Sequence, residues 1–126
     1  MAVDVAVGWQ FEVERGPDWL FVRLKLPSNG EVCGRQIAEE VWDMLQNHFT
    51  RRVVLELDDV AILRSELLTQ FMRLHQRVQS MGGLLRLCGV SEYNQEVLRR
   101  TRLLGRLPLY ATREEAVMSH RPNKPR

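Results

Sequence analysis

Apolar residues recur along this chain with two different periods. Trp9, Phe11 and Val13 alternate with Gln10, Glu12 and Glu14, and after Arg15-Gly16-Pro17-Asp18 the alternation resumes as Leu20, Val22 and Leu24 against Phe21, Arg23 and Lys25. A period of two in neighbouring runs joined by a short turn predicts an antiparallel β-hairpin, one face on a core and the other more polar. Pro27-Ser28-Asn29-Gly30 then ends the hairpin as a turn or loop. Beyond it the period lengthens. Ile37, Val41 and Leu45, with Trp42 and Phe49 beside them, fall on one helical face while Glu39, Glu40 and Asp43 face away, which predicts a helix from near Gly34 or Arg35 to His48. Trp42 reads as core or rim packing.

The stretch from Arg52 to Gly83 carries the strongest pattern. Val53 to Leu57 is apolar except for Glu56, as expected of a strand covered on both faces, and Asp58-Asp59 closes it as a turn. Leu67, Phe71, Leu74, Val78 and Met81 then recur three or four residues apart, with Leu68 and Met72 widening the stripe, so a second helix follows. Ser65 falls at its N-cap position, and Gly82-Gly83 supplies a left-handed stop. Leu84 to Cys88 reads as a strand, and a third helix is capped by Ser91 with Tyr93, Val97 and Leu98 as its apolar side. A short strand at Leu107 to Tyr110 precedes a last helix that opens at Thr112, with Glu115 at the spacing of a capping box. Strand–helix–strand connections require parallel neighbours, whereas the opening hairpin is antiparallel. The expected architecture is therefore α/β, a mixed sheet with about four helices, forming one domain over residues 1–120 with a disordered tail at 121–126.

Composition changes this picture little. The chain has 126 residues, enough for one buried core, and a net charge of +2, too small to demand a nucleic-acid or membrane partner. Cys33 and Cys88 lack metal or redox spacing, and no signal peptide or membrane-length apolar run is present, so a reduced, cytoplasmic protein is expected, with Cys88 a buried thiol. No Walker loop, GxGxxG or HExxH occurs, and His48, His75 and His120 are isolated, so the expectation is no metal, no cofactor and no catalytic site. Arg99, Arg100, Arg102 and Arg106 read as a solvated helix face, the alternative being that they and the helix N-termini bind a nucleotide or another anion. The hairpin aromatics Trp9, Phe11 and Trp19 either close the core or mediate a homodimer.

These residues also carry a family resemblance. The hydrophobic strand, acidic turn, Val60-Ala61-Ile62-Leu63-Arg64-Ser65, amphipathic helix and Gly82-Gly83, followed by Leu84 to Val90, resemble a STAS domain, the fold of the bacterial anti-sigma factor antagonists. Val97 to Tyr110 and Thr112 to Val117 are similar to the family's C-terminal helix, short strand and final helix. The resemblance implies a non-enzymatic partner switch. The unphosphorylated antagonist binds an anti-sigma factor that is also a serine kinase, leaves it when its serine is phosphorylated, and is reset by a serine phosphatase. On this chain the phosphoacceptor falls on Ser65, and Arg64, Glu66, Leu67, Asp58 and Asp59 fall on the partner surface. Where many members read Asp-Ser-Ser-Gly, this chain reads Arg64-Ser65-Glu66-Leu67. Arg64 then pairs either with a carboxylate on a different partner or with phosphate on Ser65. Glu66 supplies a fixed negative charge beside the serine, and Leu67 an apolar contact. The other reading is a phosphorylation-independent STAS module that docks on a transporter or sensor complex.

Overall fold

A computed structural model describes residues 2–6, 9–25, 37–102 and 106–118. Its strands are β1 (Ala2–Ala6), β2 (Trp9–Arg15), β3 (Leu20–Lys25), β4 (Arg52–Glu56), β5 (Leu84–Cys88) and β6 (Leu109–Tyr110). Its helices are α1 (Ile37–Asn47), α2 (Ser65–Ser80), α3 (Glu92–Arg100) and α4 (Arg113–Met118). The strands form one mixed sheet in the order β1-β2-β3-β4-β5-β6, antiparallel from β1 to β3 and parallel from β3 to β6. The mixed sheet and its four helices are thus those expected, with one strand more. β1 lies outside the expected elements: Val3 and Val5 favour a strand, whereas the two alanines and Asp4 do not. It is recruited by the open edge of β2, with which it pairs from Ala2↔Glu12 to Ala6↔Trp9. The turn at Pro27–Gly30, the predicted helix start at Gly34 or Arg35, Cys33 and the tail at 121–126 lie outside the described residues.

Register divides the sheet into two faces. Val13, Val22, Leu55, Leu87 and Leu109 follow one another across β2 to β6, and Leu20, Val53 and Leu85 form the parallel row beside them. This face meets Ile37, Val41 and Leu45 of α1, Leu67, Phe71, Leu74 and Val78 of α2, and Leu98 of α3 in the main core. One residue along each strand, the opposite face presents the rows Glu14-Phe21-Val54-Arg86 and Glu12-Arg23-Glu56-Cys88-Tyr110. There Phe21, Val54, Cys88 and Tyr110 pack with Trp19 and with Ala116 of α4 in a second, smaller cluster. The near-continuous apolar run of β4 is buried on both faces for this reason. Phe11 and Trp19 are buried within the chain itself.

The end of α2 depends on two glycines. Gly82 has φ of +77°, the left-handed stop expected of it, and a Cβ on Gly83 would lie 2.1 Å from the Arg51 carbonyl oxygen. Two aromatic expectations are corrected. Phe49 leaves the apolar side of α1, standing 92% exposed in the turn that follows with φ of 54°. Tyr93 is 62% exposed, and the inward position on α3 belongs to Asn94, one turn before Leu98. At α4 half of the expected capping box forms: the Glu115 amide donates to the Thr112 hydroxyl at 3.2 Å, whereas the Glu115 carboxylate accepts from the Ala111 amide at 3.3 Å, one residue before the N-cap.

Candidate functional site

The path from β4 to α2 is built around one buried amide side chain. After the turn at Asp58-Asp59, Val60 and Leu63 point into the core while Ala61 and Ile62 are exposed. Asn94 of α3, fully buried, holds this segment at both ends: its Oδ1 accepts from the Leu63 amide at 2.9 Å and its Nδ2 donates to the Val60 carbonyl at 3.0 Å. Ser91 caps α3 by accepting from the Asn94 backbone amide at 3.1 Å, so the cap also sets the position of the asparagine. Sequence reasoning passed over Asn94. The available signal was an asparagine one turn from a buried leucine, a polar group that requires partners if it is inside.

Arg64 then adopts an extended conformation, φ −91° and ψ 159°, and its carbonyl accepts the Leu68 amide at 3.0 Å. That makes Arg64 the N-cap residue and Ser65 the first residue within α2, which corrects the expected N-cap assignment by one position. An arginine side chain offers no acceptor, so this helix start has no side-chain cap. Ser65 is exposed, and its hydroxyl forms no hydrogen bond with another described residue; its carbonyl accepts from the Thr69 hydroxyl at 3.0 Å. Arg64 and Glu66 are exposed on either side of it. Leu67 is 1% exposed and packs in the main core, so its apolar contact is made inside the protein.

A groove of about 360 Å³ opens at Ser65 and follows α2 past Leu68, Thr69, Met72 and Gln76, with Thr101 beyond the end of α3 on its other side. Asp58 and Asp59 do not line it. They turn towards β3, where Asp58 lies 3.9 Å from Arg23, and Asp59 lies 3.5 Å from both Arg23 and Lys25. Gly89, with φ of +73°, passes under Asp58 so closely that a Cβ would come within 2.2 Å of its carboxylate. Among the described residues no group of three or more His, Cys, Asp or Glu side chains is arranged to hold a metal ion.

The opposite face of the sheet carries buried charge. Glu56, 2% exposed, accepts from Arg23 at 3.2 Å and from Arg113 of α4, which also donates to Glu14 at 2.7 Å. The hydrogen bond to Glu56 is the main reason that the Arg113 pKa is raised. Its guanidinium also stands 4.2 Å from the centre of the Phe21 ring. Arg86 is buried, donates to the Ala116 carbonyl at 2.6 Å, and lies 5.2 Å from the Trp19 ring and 5.3 Å from the Tyr110 ring. A glutamate alone in an otherwise apolar strand was the sequence signal for this cluster, since a buried carboxylate requires cationic partners. Burial pushes the Cys88 thiol up to about 12, with the Glu56 and Asp58 carboxylates adding to it, so the thiol is held protonated.

The remaining candidates behave as ordinary surface or packing residues. Arg99 and Arg100 both pair with Glu96 on an exposed helix face. Trp42 is half-buried at the core rim, with the Arg77 guanidinium 4.1 Å above its ring. His75 is buried on α2, and its pKa is lowered by that burial and, secondarily, by Arg106. No described helix is long and apolar enough to cross a membrane.

Comparison with known proteins agrees with this fold. The family model of the STAS domain matches residues 11–116. Among solved structures, the NMR structure of the Thermotoga maritima protein TM1081 is 23% identical, with a TM-score of 0.72 over 84% of this chain and 84% of that one. An anti-sigma factor antagonist from Mycobacterium paratuberculosis is 16% identical, with a TM-score of 0.70 over 91% of this chain and 96% of its own. The Bacillus cell fate determinant SpoIIAA in its phosphorylated form is 17% identical, with a TM-score of 0.60 over 85% and 96%. At these identities the likeness establishes the fold. No curated protein sequence matches the chain.

Proposed function

The chain belongs to the STAS domain family, and from that premise we propose that it is a non-enzymatic regulator of the anti-sigma factor antagonist type, which binds an anti-sigma factor with serine kinase activity and is controlled by phosphorylation of Ser65. The observation that carries this reading is the Ser65 hydroxyl. It stands exposed in the first turn of α2, at the mouth of the groove, engaged by no described residue. A kinase therefore reaches it without unfolding anything. A phosphate there adds about −1.5 to −2 charges, which the first turn of a helix accommodates and a closely packed partner does not. Modification removes the interface and leaves the fold, and a serine phosphatase restores the binding form.

A second reading has its own observation. Glu66 places a permanent carboxylate in the same turn as Ser65, next to Arg64, which suits a phosphorylation-independent module whose contacts on a transporter or sensor complex are constitutive. Wild type, Ser65→Ala and Ser65→Asp used as parallel baits, with bound proteins and phosphate on Ser65 read by mass spectrometry, separate the two. A kinase retained by wild type and Ser65→Ala but released by Ser65→Asp supports the switch. The same partner on all three baits, with Ser65 unmodified, supports the constitutive module.

A further inference from the structure

The groove beside α2 has a chemical character that goes beyond the presence of a serine at its mouth. Its floor is apolar, from Leu68 and Met72 one turn apart, and Ser65 and Gln76 mark its ends about three helical turns, or roughly 16 Å, apart along α2. None of the residues lining it is acidic, and Arg73 is on its wall. Arg64 precedes the mouth, and Arg102 follows Thr101 on the far side. All three arginines are exposed, and none pairs with a carboxylate among the described residues, whereas the neighbouring Arg77, Arg99 and Arg100 are paired with Glu39 and Glu96. Arg64 and Arg102 adjoin lining residues without lining the groove themselves, and Glu66, the one carboxylate of α2, likewise adjoins Ser65 without lining it.

A groove about three turns long, with an apolar floor one turn long, Arg73 on its wall and exposed arginines beside its two ends, is complementary to one kind of ligand. We infer that the groove between α2 and the end of α3 docks an acidic amphipathic helix of the partner, its apolar side chains four residues apart lying on Leu68 and Met72 and its carboxylates meeting Arg64, Arg73 and Arg102. This rests on the partner-switch reading and deepens it by naming the chemistry of the partner. It also states how phosphate at Ser65 acts. The added charge sits at the mouth of the groove, repels the incoming carboxylates and competes for Arg64.

The test is selection of a displayed library of α-helical peptides, unbiased in charge, on the unphosphorylated full chain, followed by affinity measurement on variants shown by thermal melting to be folded. Recovered peptides are expected to carry two apolar residues four apart flanked by Asp or Glu. Arg73→Glu and Ser65→Glu should each weaken them about tenfold, Arg15→Glu on the distant hairpin should change binding less than about twofold, and raising ionic strength from about 0.05 to about 0.5 M should weaken it. Neutral or basic peptides, binding that ignores Arg73→Glu, or no recovered binder would overturn the inference. Because no kinase is present, such a failure is separate from that of the switch, which is read by phosphate on Ser65 in the bait experiment.

Discussion

Ser65 and Glu56 show how one position of difference along the chain decides what a side chain does. At an N-cap, serine accepts a backbone hydrogen bond, and its replacement by alanine costs about 1 kcal/mol. Ser65 is one residue further on and its hydroxyl bonds to no other described residue, so Ser65→Ala should change the unfolding free energy read by urea denaturation by less than about 0.5 kcal/mol. A loss near the full cap value would return the hydroxyl to a structural role. Glu56 is the opposite case. It points to the sheet face where Arg23 and Arg113 converge, and both arginines depend on it for their innermost partner. Glu56→Ala is expected to destabilise the protein by about 3 kcal/mol, at the low end for a buried pair because both guanidinium groups are partly exposed. Arg113→Ala in the Glu56→Ala background should cost much less than in wild type if the two act as a pair, which a double-mutant cycle by chemical denaturation measures.

At the scale of elements, the placement of the α2 start depends on α3. The segment from Val60 to Leu63 has no regular hydrogen bonding of its own, and Asn94 satisfies both of its inward polar groups. Asn94→Ala leaves a buried N–H and a buried C=O unpaired, so a loss of about 2–4 kcal/mol is expected. Faster hydrogen exchange at the Leu63 amide should accompany it. Asn94→Asp retains the acceptor for Leu63 and offers no donor to Val60, so the Leu63 amide should stay more protected in that variant than in Asn94→Ala. Equal exchange in both would show that Asn94 acts through packing alone. This dependence was hidden in the sequence because helical periodicity ranks residues by hydrophobicity, which placed Tyr93 inward. The real inward position is polar, chosen by hydrogen-bonding need that only the folded loop creates.

For the whole molecule, burial of a titratable group makes stability depend on pH. His75 has its pKa held below the ordinary value near 6.5 by burial, with Arg106 adding to the effect. The unfolded chain therefore takes up the proton first on acidification. The contribution of a neutral His75 is present in full above about pH 6.5 and declines as the pH falls towards the folded-state value, by at most about 1.4 kcal/mol per pH unit. Denaturation at about pH 7.5 and about 5.5 should show a fall for wild type that is smaller in His75→Gln; equal falls would assign the acid sensitivity to other groups. The two periods of the apolar pattern were enough to determine the mixed sheet, the helix sequence, the glycine stop after α2 and the serine near the helix start, because strand and helix periodicity and turn chemistry are local properties. The sequence alone also carried the family resemblance. What only the tertiary structure decided is where the two sheet faces find their partners: α1, α2 and α3 over Val53 and Leu55, α4 over Val54 and Glu56. It also recruited β1 to the edge of β2, released Ser65 from the cap, and set apolar Leu68 and Met72 between Arg64 and Arg73, which pair with no carboxylate among the described residues. These depend on which residues distant in the chain meet, and local spacing carries no record of such meetings.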